Sequence, residues 1–226
     1  MRLLIIPDVH GRDNFSNILD EDIKNIDQVI FLGDYWDSFD LNYEQQLITF
    51  QKIVAYKQQH PDKVICEIGN HDIQYMRKYN PSLNAICTGH QQENSGKIAS
   101  LFDNYGHLFQ MAYGITKDDN YYLFTHAGVT NELYQYLLSI SDYPDLDISF
   151  LINKVWMDVF KEPKSDSYLW IRPTALRKDS LQFNHQKKLK VIQFVGHSPL
   201  DNMLIDLKNN IYFTDLDNSK PIFLTI

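Results

Sequence analysis

Five short apolar runs in this chain each lead into a histidine, aspartate or asparagine beside a glycine. "LLII" is followed by "PDVHGR", with Asp8, His10 and Gly11, and "QVIFL" by "GDYWD", with Asp34 and Asp37. "KVICEI" leads into "GNHD", "YYLFT" into "HAG" and "KVIQFV" into "GHSP", which adds Asn70, His71, Asp72, His126 and His197. A lone aspartate after a strand is ordinarily a helix N-cap. The recurrence is what points to a shared site. Imidazole, carboxylate and carboxamide without a clustered thiol suit manganese, iron or zinc better than a soft thiolate site. There are too many donors for one tetrahedral ion, so a two-metal centre is expected.

Such a centre needs elements that bring the five loops together. The runs at 3–6, 28–32, 63–68, 121–126 and 190–195 are short and β-branched or aromatic, which predicts buried strands. Parallel strands would present their following loops at one edge of a sheet, where open α/β sheets bind ligands. Glycine permits the tight turns and close backbone approach those loops require. Further strands are expected at 108–113, 203–207, 210–214 and 221–225. Leu47, Phe50, Ile53 and Val54 repeat at helical spacing within 42–60, and Pro61 ends that helix. Segments 72–79, 95–105 and 131–140 also read as helices. This alternation predicts an α/β layered core, followed by a strand-rich, more antiparallel C-terminal portion. The expected organisation is a single domain over 1–226 with an insertion or cap around 141–185, punctuated by Pro144, Pro163 and Pro173.

The chain has 226 residues, 44% of them apolar, and a net charge of −8 from 21 Lys+Arg against 29 Asp+Glu. The acidic balance, with no basic run longer than "QKKLK", argues against a broad nucleic-acid surface. Cys66 and Cys87 belong to no CxxC pair, and no long apolar run suggests a membrane span or signal segment, so a cytoplasmic location is expected. The absence of GxGxxG after the first strand and of GxxxxGK[ST] anywhere excludes the usual nucleotide-binding loops. His60, His107 and His185 read as surface residues, and His90, in "CTGHQQ", as a loop residue. Tyr35 and Trp36 either pack their loop or stack a substrate.

In this order, "DVHG", "GDYWD", "GNHD", "HAG" and "GHSP" resemble the calcineurin-like metallophosphoesterases, and within them the phosphoprotein-phosphatase-like branch. The resemblance runs from residue 8 to residue 199. It implies a four-layer α/β/β/α sandwich carrying two divalent metals, manganese first, with iron or zinc as alternatives. Asp8, His10 and Asp34 would hold one metal. Asp34 would bridge to a second, held by Asn70, His126 and His197. His71 would protonate the leaving group with Asp37 as its partner, and Arg172, in "YLWIRP", would bind the substrate phosphate. The implied enzyme is a phosphoester hydrolase in which a two-metal-activated hydroxide attacks a phosphorylated small molecule, phosphopeptide or nucleotide. A phosphodiesterase or dinucleoside polyphosphate hydrolase with the same centre is the alternative, and a non-catalytic metal-binding scaffold a third. Two positions depart from the family pattern. Ser38 stands where an arginine is usual, and "GNHD" replaces "GNHE"; Arg12 and Arg77 are nearby arginines that could compensate for the first.

Overall fold

The computed structural model describes residues 1–142, 147–159, 168–184, 188–201, 203–216 and 219–226. Its internal contacts divide the chain into Met1–Gln110 with Asn218–Ile226, and Met111–Asp217. Pro144, Pro163 and His185 lie outside the described residues.

In the first unit the apolar runs become β1 (Arg2–Ile6), β2 (Gln28–Phe31) and β3 (Val64–Cys66). β1 pairs parallel with β2, and β2 with β3, with Leu4 opposite Val29 and Val29 opposite Val64. All three strands are almost wholly buried, as near-continuous apolar runs in a parallel sheet should be. Their C-terminal ends therefore share one edge. The helices are α1 (Ser16–Asp22), α2 (Tyr43–Gln59), α3 (Asn70–Ile73) and α4 (Ser95–Tyr105). A capping box starts α2. Asn42 Oδ1 accepts from Gln45 N, and Gln45 Oε1 accepts from Asn42 N, each at 3.0 Å. The buried face of α2 contributes Phe50, Ile53 and Val54 to a core shared with Phe15, Phe31 and Phe102. Tyr35 and Trp36 belong to that same core, which decides between their two readings in favour of packing. Tyr35 donates its hydroxyl to the Glu67 carbonyl at 2.8 Å, and Trp36 stacks on Tyr43.

The second unit contains β4 (Ala112–Lys117), β5 (Asn120–Thr125), α5 (Asn131–Ser139), α6 (Ile148–Val159), α7 (Pro173–Lys178), β6 (Phe183–Asn184), β7 (Leu189–Val195), β8 (Leu204–Asp206) and β9 (Ile211–Phe213). Its sheet runs β4-β5-β7-β9-β8, with β5, β7 and β9 parallel and β4 and β8 antiparallel at the two edges. α6 is fastened to β4 by Asn153, whose Oδ1 accepts from Met111 N at 2.7 Å and whose Nδ2 donates to the Ala112 carbonyl at 2.8 Å.

The α/β expectation holds, with two sheets and accompanying helices. Several local expectations need correction. The final strand, β10 (Ile222–Thr225), is not part of the second sheet; it pairs antiparallel with β1 in the first unit. The strand expected at 108–113 starts at Ala112 and runs through Gly114 to Lys117. The helix expected over 72–79 stops at Ile73 and continues as successive turns, because Gln74 and Tyr75 are pulled inward to a buried carboxylate described below. α1, α6 and α7 were not expected. Among the described residues no helix is long and apolar enough to cross a membrane.

Gln193 interrupts the apolar run of β7 and is fully buried. Its Oε1 accepts from Val129 N at 2.8 Å, while its Nε2 donates to the carbonyls of Val129 at 2.9 Å and Leu181 at 3.1 Å. One amide thus ties the turn after β5 to the segment before β6. Gln193→Leu should destabilise the fold by roughly 2–4 kcal/mol, since it strands at least two buried backbone groups at about 1–3 kcal/mol each. Denaturant unfolding followed by far-UV circular dichroism measures this.

Candidate active site

The loops after β1, β2 and β3 interlock through their backbones. His10 N donates to the Asp34 carbonyl at 2.6 Å, and Gly11 N to the Tyr35 carbonyl at 2.9 Å. Four of the predicted site residues sit in the left-handed region: His10 (φ 43°), Asp34 (52°), Asp37 (69°) and His197 (66°). Such positions cost about 1–3 kcal/mol each and persist only where the surroundings impose them. Gly33 (φ 100°) and Gly69 let the β2 and β3 loops touch: a Cβ on Gly33 would lie 2.3 Å from Gly69 N, and one on Gly69 would lie 2.1 Å from Asp34 Oδ1.

Asp8 and Asp34 are buried at these strand ends, and Asn70 opens α3. His10 Nδ1 lies 2.7 Å from the Trp36 carbonyl. A carbonyl can only accept, so Nδ1 carries the proton and Nε2 keeps its lone pair. That Nε2 is 3.8 Å from Asp34 Oδ2. Burial, with His71 nearby, pushes the His10 imidazole down to about 4, so the ring is neutral at physiological pH. A neutral imidazole, fixed in tautomer by a main-chain acceptor and facing a buried carboxylate, is a donor set suited to a divalent cation. The amide of Asn70 is oriented by Cys87: Nδ2 donates to Sγ at 3.3 Å, and Sγ donates to the Asn70 carbonyl at 3.2 Å.

His71 and Asp37 form a distinct pair. His71 Nδ1 lies 2.9 Å from Asp37 Oδ2, which leaves Nε2 as the ring atom open to a substrate. Asp37 is fully buried and also accepts from Gln74 Nε2 and the Tyr75 hydroxyl. Those two residues in turn hold the 86–91 loop. Gln74 Oε1 accepts from Ile86 N and Cys87 N, each at 3.0 Å, and the Tyr75 hydroxyl accepts from Gln91 N at 2.7 Å. His90, read from sequence as a loop residue, stacks on Tyr75 with ring centroids 4.9 Å apart.

The shorter carboxylate of "GNHD" has a role of its own. Asp72 Oδ2 accepts from Asp34 N at 2.7 Å and Gly69 N at 2.8 Å, and Oδ1 accepts from Tyr35 N at 2.8 Å. It fixes the bends of two loops at once. Burial pushes this carboxyl up to about 7 against the pull of those three donors.

In the second unit, His126 follows β5 and His197 follows β7, both buried. Gly196 N donates to the His126 carbonyl at 2.8 Å, and the two imidazoles lie edge to face with centroids 5.0 Å apart. The "YLWIRP" segment reaches the same place. Ala127 N donates to the Tyr168 carbonyl at 2.9 Å, and the Trp170 ring is 6.3 Å from that of His197. Arg172 is exposed and stands before α7, with its Nη1 at 3.5 Å from the His197 carbonyl.

The calcineurin-like phosphoesterase model matches residues 1–224, nearly the full chain. This chain belongs to that family. As a calcineurin-like phosphoesterase it is a metal-dependent hydrolase acting on phosphoesters. No curated protein matches it by sequence. Solved structures show the same fold at low identity. A cold-active protein-tyrosine phosphatase of a psychrophilic Shewanella species aligns with TM-score 0.59 at 16% identity, over 99% of this chain and 75% of the other. A protein serine/threonine phosphatase from Saccharomyces cerevisiae, similar to human phosphatase PP5, aligns with TM-score 0.54 at 16% identity, over 94% of this chain and 66% of that one.

The residues that sequence reasoning missed are Gln74, Tyr75 and Cys87, together with the Trp36 carbonyl; Asp72 was singled out, but not its three backbone donors. Gln74 and Tyr75 follow a metal-type motif directly and are polar yet buried, a juxtaposition visible only once their loop is folded.

Proposed function

We propose that this phosphoesterase is a two-metal phosphatase acting on phosphomonoesters, phosphopeptides among them. Asp8, His10, Asp34 and Asn70 of the first unit and His126 and His197 of the second would hold two divalent ions, manganese by preference, with Asp34 shared between them. The observation that carries the reading is the His71–Asp37 pair, 2.9 Å apart, standing beside the neutral, tautomer-fixed His10. A general acid placed next to a metal-type donor set is what phosphoester cleavage requires.

Bound divalent ions supply a nucleophile active at neutral pH and neutralise charge on the phosphoryl oxygens. The chain supplies the rest. His71 Nε2 delivers a proton to the departing ester oxygen, and Asp37 holds the ring in the orientation for that delivery. Asp72 keeps the Asp34 and Gly69 backbones bent so that the carboxylate of Asp34 stays aimed. Arg172 takes the phosphoryl group from the second unit.

The test is turnover of p-nitrophenyl phosphate, its bis ester, a phosphopeptide and a dinucleoside tetraphosphate with manganese added. Preference for the monoesters supports the proposal, and exclusive turnover of the diester or the tetraphosphate overturns it. Asp34→Asn should lower bound manganese from about two equivalents to one or fewer and cut turnover by about 100-fold or more, since even residues behind the metal ligands cost 10–100-fold. Elemental analysis after gel filtration reads the metal. Two retained equivalents would remove Asp34 from its bridging role.

A further inference from the structure

Position 38, directly after the buried Asp37, carries a serine hydroxyl rather than a positive charge. The structure brings a guanidinium to its side by another route. Arg12 Nη2 lies 2.9 Å from Asp40 Oδ1, and Ser38 Oγ lies 2.7 Å from the same oxygen. Two side chains that converge on one acceptor atom must be neighbours, so the head of Arg12 stands beside residue 38.

The base of this side chain is rigid. Arg12 N donates to the Val9 carbonyl at 2.9 Å, closing a turn over His10 and Gly11, both in the left-handed region. A Cβ on Gly11 would lie 2.3 Å from Gln46 Cγ, so the turn is packed against α2. The other two arginines of the first unit are committed elsewhere. Arg2 pairs with Asp22 at 2.6 Å and covers the Phe223 ring, while Arg77 bonds Asp103 and the Gly96 carbonyl on α4.

The carboxylate that holds Arg12 is poorly suited to keeping it. The side chain of Asp40 is 63% exposed. Exposed pairs of this kind contribute only about 0–1 kcal/mol. A phosphoryl group offers two oxygens to the guanidinium fork and carries more charge.

We propose that Arg12 binds the substrate phosphoryl group in the first unit, with Asp40, itself bonded by Ser38, as the exchangeable counter-ion of the guanidinium when no substrate is bound. This rests on the phosphatase reading above and assigns a substrate contact to a residue outside its motif set. Asp40 is then a competitor of the substrate, which gives the two residues effects of opposite sign.

The experiment uses the full chain loaded with manganese. Inorganic phosphate is titrated calorimetrically and as a competitor of p-nitrophenyl phosphate, for wild type, Arg12→Gln, Arg12→Lys and Asp40→Asn, with metal content measured for each. Arg12→Gln should weaken phosphate binding and raise KM roughly 10- to 100-fold, with a smaller change in kcat and full metal content. Arg12→Lys should recover part of that loss. Asp40→Asn should tighten phosphate roughly 2- to 5-fold. Unchanged phosphate affinity in Arg12→Gln, or weaker binding in Asp40→Asn, overturns the assignment while leaving the phosphatase reading intact. Absence of phosphoester turnover by wild type sinks that reading, and the calorimetric comparison still decides on Arg12.

Discussion

His71→Asn is expected to lower kcat by about 10²–10⁴-fold while leaving metal content unchanged. The separation of these effects follows from how the residue is held. Its side chain reaches Asp37, but its contact with Asp34 is made by its backbone N–H, 2.8 Å from Asp34 Oδ1. A substitution at the imidazole would therefore remove the proposed proton donor and spare the carboxylate that would bridge the metals. The loss should be greatest for alkyl phosphates, whose leaving oxygen needs a proton most, and smallest for p-nitrophenyl phosphate. Kinetics on a leaving-group series, with elemental analysis of the same preparations, tests both halves. A His71→Asn protein stripped of metal would place the imidazole among the ligands.

Gly69→Ala should be strongly disruptive. The new Cβ would meet Asp34 Oδ1 at 2.1 Å and Asp34 N at 2.5 Å, and neither atom can retreat. Asp34 N is bonded to Asp72 and Asp34 Oδ1 to His71 N. Relief requires separating the β2 and β3 loops. We expect a loss of about 3 kcal/mol or more from overpacking, accompanied by loss of metal-dependent activity. Gly96→Ala is the matched control. It lies within α4 with nothing inside 4 Å of the added carbon, and should be neutral or slightly stabilising by up to about 1 kcal/mol. Thermal unfolding of the two variants side by side reads the contrast.

The parts of this molecule that were legible in its sequence are those whose signal is local. β1, β2 and β3 announce themselves as buried β-branched runs, and the loops that follow repeat one chemical theme. α2 and α4 carry their apolar stripe and their boundaries in plain sight. What was not legible depends on partners distant along the chain. The stretch after Ile73 has helical composition, but Gln74 and Tyr75 satisfy Asp37 rather than a helix, and the element stops. Asp72 looked like a shortened version of a familiar residue until its three backbone donors were in view. The strand at the C-terminal end has the alternation of any edge strand, and nothing local says which sheet takes it.

That strand has a consequence for how the chain comes to be folded. β10 covers the outer side of β1, and just before it Ser219 donates its hydroxyl to the Asp8 carbonyl. During vectorial synthesis both contributions emerge after all of Met111–Asp217. Until then β1 presents an unpaired ladder to any passing strand, and the turn bearing Asp8 lacks its brace. A nascent chain halted before residue 219 would hold all of the loops proposed to bind metal and yet remain a sticky, unfinished sheet.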